Sequence, residues 1–172
     1  MPVNIEIKAY AADFTDQLLL AERLCGTRAD QFTQEDTYFQ VNSGRLKLRQ
    51  FSEGSGELIQ YYREDTTAPT QSSYQRIPMP DPPAIRAALS AALGVRGVVR
   101  KSRILFIEEQ SRLHFDSVEA LGEFIEIEVV LQTGQQQAEG EIIAARLMMA
   151  LQIEPEQLIS SSYIDLLEAE NR

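Results

Sequence analysis

From Val3 to Tyr10 apolar and polar positions alternate, with Ile5 and Ile7 on one side and Glu6 and Lys8 on the other, the period of a strand with one face buried. The period then lengthens. Asp13 reads as an N-cap with Asp16 three residues on, and Phe14, Leu18, Ala21 and Cys25 recur at helical spacing until Gly26 closes the run; this predicts a helix of about three turns. Strand-like runs return at Gln34–Val41, Arg45–Phe51, Glu57–Glu64 and Ser72–Met79, and the turns Asn42-Ser43-Gly44 and Gly54-Ser55-Gly56 favour antiparallel hairpins. The tract Asp65–Ser72 has little apolar content and predicts a mobile loop. Pro82-Pro83 opens a second helix that runs to Leu93 and stops at Gly94.

Three more strands follow, roughly Arg96–Ile107, Ser111–Asp116 and Glu123–Gln132, the last after a Val118–Gly122 turn. Ala138–Leu151 is amphipathic with helical spacing, and Ser162 caps a short last helix starting at Tyr163. The sum is eight strands without a linker between them, so residues 1–172 are expected to form one α+β domain built mainly on antiparallel strands.

The strand charges are not scattered. Glu6 and Lys8 share one parity, as do Arg45, Lys47 and Arg49, then Lys101 and Arg103, Arg112 and Asp116, and Glu126 and Glu128. Opposite them sit Leu46 and Leu48, Leu113 and Phe115, and Ile125, Ile127 and Val129. Every lysine of the chain belongs to this set, and Arg63 extends it. A wet outer face of a sheet would explain charged strands, but such a face usually mixes Thr, Ser, Gln and Glu. Arg and Lys recurring at one parity suggest instead that the faces converge on a hollow, with Glu6, Asp116, Glu126 and Glu128 as a carboxylate cluster. A hollow of that kind suits a polyphosphate with a divalent cation: arginines grip phosphate oxygens bidentately, and carboxylates are hard ligands for Mg²⁺ or Mn²⁺.

Composition narrows the alternatives. Hydrophobic residues make up 44% of the 172, enough for a folded core. The net charge of −10 disfavours a nucleic-acid or anionic-membrane surface held by diffuse positive charge. With one cysteine, Cys25, and one histidine, His114, neither a structural zinc site nor an acyl-transfer triad can be assembled. No segment has the apolar length of a membrane span and the first residues lack the form of a secretory leader, so a cytoplasmic protein is expected. Phosphate loops of the G-x-x-x-x-G-K-[ST] and G-x-G-x-x-G types are missing, which leaves phosphate recognition to side chains on strands.

The segments that carry these charges resemble the CYTH family of triphosphate tunnel metalloenzymes, which includes class IV adenylyl cyclases and thiamine triphosphatases. They are Asn4-Ile5-Glu6-Ile7-Lys8, Gln34–Phe39, Gly44–Arg49, Lys101-Ser102-Arg103, Arg112–Asp116, Leu121–Glu128 and Ser162–Leu167. The resemblance implies an eight-stranded antiparallel β-barrel with flanking helices, whose interior is a triphosphate tunnel. It implies phosphate contacts from Lys8, Lys47, Arg49, Arg63, Lys101, Arg103 and Arg112, with Lys8 the catalytic candidate, and metal held by Glu6, Asp116, Glu126 and Glu128. The family's E-x-E-x-K opening has Asn4 in place of its first Glu, which removes one negative charge from the metal end.

Two functional classes follow. The first is a Mg²⁺- or Mn²⁺-dependent enzyme on ATP, thiamine triphosphate or tripolyphosphate, either cyclase or triphosphatase. The second is a non-catalytic module that holds triphosphate or polyphosphate, motivated by Asn4. Neither calls for a nucleic-acid or membrane partner, and a homodimer is compatible with both. His114 shares the parity of the charged set, and Cys25 is expected to pack under the first helix as a small hydrophobe. Tyr38, Tyr61 and Tyr62 are read as packing residues on strands.

Overall fold

The computed structural model describes residues 3–26 and 30–171. Eight strands, β1 (Val3–Tyr10), β2 (Asp30–Phe39), β3 (Arg45–Phe51), β4 (Gly56–Arg63), β5 (Thr70–Met79), β6 (Val95–Glu108), β7 (Ser111–Val118) and β8 (Gly122–Val130), close into an antiparallel barrel in the order β1-β5-β4-β3-β2-β6-β7-β8. Closure comes from β1, which pairs on one edge with β5 (Glu6 opposite Thr70) and on the other with β8 (Glu6 opposite Glu128). Four α-helices flank the wall: α1 (Phe14–Cys25), α2 (Pro82–Leu93), α3 (Gln137–Ala150) and α4 (Tyr163–Glu170). No helix among the described residues is long and apolar enough to cross a membrane.

Strand parity sorts the side chains into two environments. Outward-pointing Ile5, Ile7, Leu113, Phe115, Ile125, Ile127 and Val129 meet Ala21 of α1 and Ala144, Leu147 and Leu151 of the α3 segment in one buried cluster. The principal hydrophobic core therefore lies between the barrel wall and the helices, while the middle of the inner face is left for polar groups. Gly140 makes the contact close, since a Cβ there would stand 2.6 Å from both Ile5 Cγ1 and Leu131 Cδ2. Cys25 packs at the edge of this cluster, as expected.

A second cluster closes one end of the barrel. There α4 presents Tyr163 and Ile164 to Tyr38, Val99, Val118 and Phe124, with Ile164 lying over Gly97, where a Cβ would come within 2.5 Å of Ile164 Cδ1. Ion pairs tie the helix down: Arg96 binds Asp165 and Glu168, and Arg45 bridges Asp65 and Asp165. The Ser162–Asp165 capping box starts the helix at the expected place.

Several boundaries differ from the sequence expectation. Strand β2 begins at Asp30, not Gln34, because β6 is long enough to pair with it as far as Leu105. It ends at Phe39, not Val41: the register slips between Tyr38 and Phe39, and the Gln40 amide turns to the Gly94 carbonyl instead. Thr70 and Gln71, expected in a loop, already pair with β1. Strand β7 continues past Asp116 to Val118 by pairing with β6 and β8.

Candidate active site

The inward parity encloses a cavity of about 230 Å³. Its deep part is built on two buried carboxylates that each fasten basic groups. Asp36 accepts from Arg49 Nε and Nη2, both at 2.8 Å, and from Lys47 Nζ at 2.7 Å. Asp116 accepts from Arg103 Nε and Nη2 at 2.6 Å, from Lys101 Nζ at 2.9 Å and from the Tyr163 hydroxyl at 3.0 Å. Burial alone would raise both acids, but the Arg49–Lys47 and Arg103–Lys101 pairs outweigh it and hold both below the usual carboxylate range. Lys8 lies 3.0 Å from Glu126 Oε1 and 3.8 Å over the Tyr163 ring.

The lysines feel the opposite pressure. Burial, and then the neighbouring Arg49, push Lys47 down to about 7 in spite of Asp36. Burial and Arg103 push Lys101 down to about 8. Burial is the larger cause in both, and the adjacent guanidiniums of Arg49 and Arg103 add an excess of positive charge.

Across the barrel, where β1 meets β8, the excess is negative. Glu6 is raised to about 7, first by burial and then by Glu128, with Arg63 at 3.7 Å only partly compensating. Glu128 accepts from Arg112 Nε at 2.6 Å and from the Asn4 carboxamide nitrogen. Neighbouring groups work against burial to keep Glu126 and Glu128 ionised: Lys8 and His114 do so at Glu126, and Arg112 does so at Glu128. His114 stands between them, 3.4 Å from Glu126 and 3.7 Å from Glu128, and burial next to Arg103 lowers its pKa, keeping it neutral. The Asn4 carboxamide oxygen is buried and has no hydrogen-bond partner among the described residues. The interior is thus polarised, with a cationic pole at β3 and β6 and an anionic one at β1 and β8.

Glu6, Lys8, Lys47, Arg49, Arg63, Lys101, Arg103, Arg112, Glu126 and Glu128 all line this one cavity, and so does His114. Asp116 does not line the open hollow: it is fully buried on the inner face, with both oxygens taken by basic groups and Tyr163. Arg63 has one face on the cavity while its Nη2 donates to the Ser160 carbonyl. Tyr61 reaches the cavity, and Tyr62, its neighbour of opposite parity, is exposed outside. Sequence reasoning passed over Asp36, although Asp36 shares parity with Gln34 and Tyr38 and faces Arg49 in the hairpin register. It also missed Tyr163, whose approach depends on how α4 docks and leaves no periodic trace.

The donor set bears on a metal. Glu6 and Glu128 crowd each other, and the unpartnered Asn4 oxygen lies buried next to them; all are hard oxygen donors of the kind Mg²⁺ and Mn²⁺ take. Among the described residues, no three His, Cys, Asp or Glu side chains are gathered closely enough to hold an ion by themselves. An ion here would need the Asn4 carbonyl or its substrate to complete the shell.

A family model for the CYTH domain matches residues 3–163. The chain belongs to the CYTH family. The protein PH1012 of Pyrococcus horikoshii has the same fold, with 23% identity, a TM-score of 0.82, and coverage of 95% of this chain and 98% of its own. An adenylate cyclase candidate from Vibrio parahaemolyticus follows with 13% identity, TM-score 0.79 and coverage of 96% and 97%. HpAC1 from Hippeastrum, described as an adenylyl cyclase candidate with a dominant triphosphatase activity, has 15% identity, TM-score 0.68 and coverage of 99% and 96%. No curated protein matches. In this CYTH barrel the opening signature is reduced to Asn4, Glu6 and Lys8, three inward positions of β1.

Proposed function

We propose that this CYTH protein is a Mg²⁺- or Mn²⁺-dependent enzyme that acts on a triphosphate held inside its barrel. The polarised cavity is the observation that carries this reading. A polyanion at Lys47, Arg49, Lys101 and Arg103 relieves the excess positive potential there, and a cation bound by Glu6, Glu128 and Asn4 relieves the negative one. The metal would act as a Lewis acid that neutralises charge on phosphate oxygens. Asp36 and Asp116 hold the four deep cations rigidly, so their donors are aimed before substrate arrives and little reorganisation is needed as charge develops. Lys8, fixed between Glu126 and the Tyr163 ring, is the catalytic candidate, contacting the phosphoryl group under attack. Asp116 is assigned a positioning role behind Lys101 and Arg103, not a place in the metal shell.

Two reactions are served by one cage: attack of a ribose 3′-hydroxyl on the α-phosphorus with loss of pyrophosphate, or attack of water on the γ-phosphorus. Incubation with Mg²⁺ or Mn²⁺ and ATP, thiamine triphosphate or tripolyphosphate, scored for cyclic AMP and for free phosphate, chooses between them. Failure to form either product from all three substrates overturns the enzyme reading. Asn4 favours a second reading, a module that binds without turnover, because its amide nitrogen already occupies Glu128. Product formation appearing only in Asn4→Glu would establish that alternative.

A further inference from the structure

Helix α3, expected to be amphipathic, is apolar on two opposite faces. Gly140, Ala144 and Leu147 are buried on the side of the barrel wall. On the far side Ala138, Ile142, Ala145 and Met149 follow at spacings of four, three and four, and all are exposed. Ile142 is 70% and Met149 81% exposed, more than any other large apolar side chain among the described residues. A helix apolar on both sides normally has both covered, and this spacing is the seam of a two-helix contact.

We propose that the outer face of α3 is a homodimer interface, covered by α3 of a second copy running antiparallel about a two-fold axis midway between Ile143 and Ala144. The seam is complementary to itself in that register. Ile142 meets Ala145 of the second copy and Met149 meets Ala138, large side chains on small ones, and each contact occurs twice. On one flank Glu139 lies beside Arg146 of the second copy; on the other Glu141, which accepts from its own Gln137, lies beside Met148. Arg146 is available to pair, since its link to Glu109 is 3.3 Å long and both partners are more than half exposed. Glu139 caps its own helix, at the Gln136 amide, through one carboxylate oxygen. In a chain of net charge −10 most contacts between copies set acid against acid, so a face that pairs opposite signs is selected by charge. A parallel arrangement would stack Ile142 on Ile142 and Met149 on Met149 and would align the two helix dipoles.

Sedimentation equilibrium of the full chain, without ligand, tests this. One helix pair makes a small interface, so the dimer is expected to form at about 10–100 µM. Ile142→Glu, at an exposed position, should leave the urea midpoint of dilute protein unchanged and keep the chain monomeric to about 500 µM. Arg146→Glu should weaken association at least about 10-fold by setting carboxylates against each other in both symmetric contacts. Adding Glu139→Arg to it should restore association to within about 3-fold of wild type. A wild type that stays monomeric to about 500 µM overturns the proposal. A dimer that survives Ile142→Glu overturns the face, and an Arg146→Glu dimer that is not weakened, or not restored by the second substitution, overturns the antiparallel register.

Discussion

Removing the Asp36 carboxylate would leave the Arg49 guanidinium and Lys47 ammonium side by side in a largely buried site. Breaking a buried pair from one side costs about 3–5 kcal/mol because the remaining charge is uncompensated. Asp36→Asn is therefore expected to lower the unfolding free energy by about that much, and tripolyphosphate should restore part of it by supplying the missing negative charge. Denaturant melts with and without the ligand check this. A loss under about 1 kcal/mol would mean that the cations relax into solvent when unpaired. Asp36 shows what a strand sequence conceals. Parity placed it on the inner face with Arg49, but a single Asp among Gln, Thr and Tyr carries no mark of its role. The recurring Arg and Lys positions were legible because they repeat at spacing two on several strands.

At the scale of elements, α3 makes a contact with little room to spare. Gly140→Val would drive branched carbons into Ile5 and Leu131, and overpacking of this kind costs about 1–3 kcal/mol. The expected result is a lower denaturation midpoint with little change in the slope of the transition, because the same surface is exposed on unfolding. An unchanged midpoint would mean that α3 slides along the wall to make space. Strand and helix identities were readable because the period switches between two and about 3.6, the caps at Asp13 and Ser162 are strong and Pro82-Pro83 marks a helix start. Ends were less readable. The extra turnless stretch from Asp30 is held by pairing with residues some seventy positions away, a long-range effect that local pattern does not encode.

For the whole molecule, the two poles make stability depend on pH in an unusual sense. Glu6 binds its proton near pH 7 when folded and near 4.5 when unfolded. The native state then holds more protons in that window, and stability falls as pH rises from about 4.5 to 7. Lys47 reverses the sign, at about 7 folded against 10.5 unfolded, so stability climbs as pH rises through that range; Lys101 adds to the climb above about 8. Asp36, with a depressed pKa, contributes fully above about 3.8 and loses its contribution only at lower pH. Ligand-free protein should accordingly be least stable near neutrality, by an amount on the order of a few kcal/mol. Urea midpoints between about pH 5 and 9.5 test this: a maximum near 7 contradicts it, while Lys47→Met or bound tripolyphosphate should flatten the alkaline limb. The location of the principal apolar cluster outside the wall has a further consequence. Most apolar cohesion comes from outward side chains, so cavity-lining positions that are not anchored by Asp36 or Asp116 can be varied in a library while the outward ones are held fixed. Such a scaffold can be taught new anions without relearning how to fold.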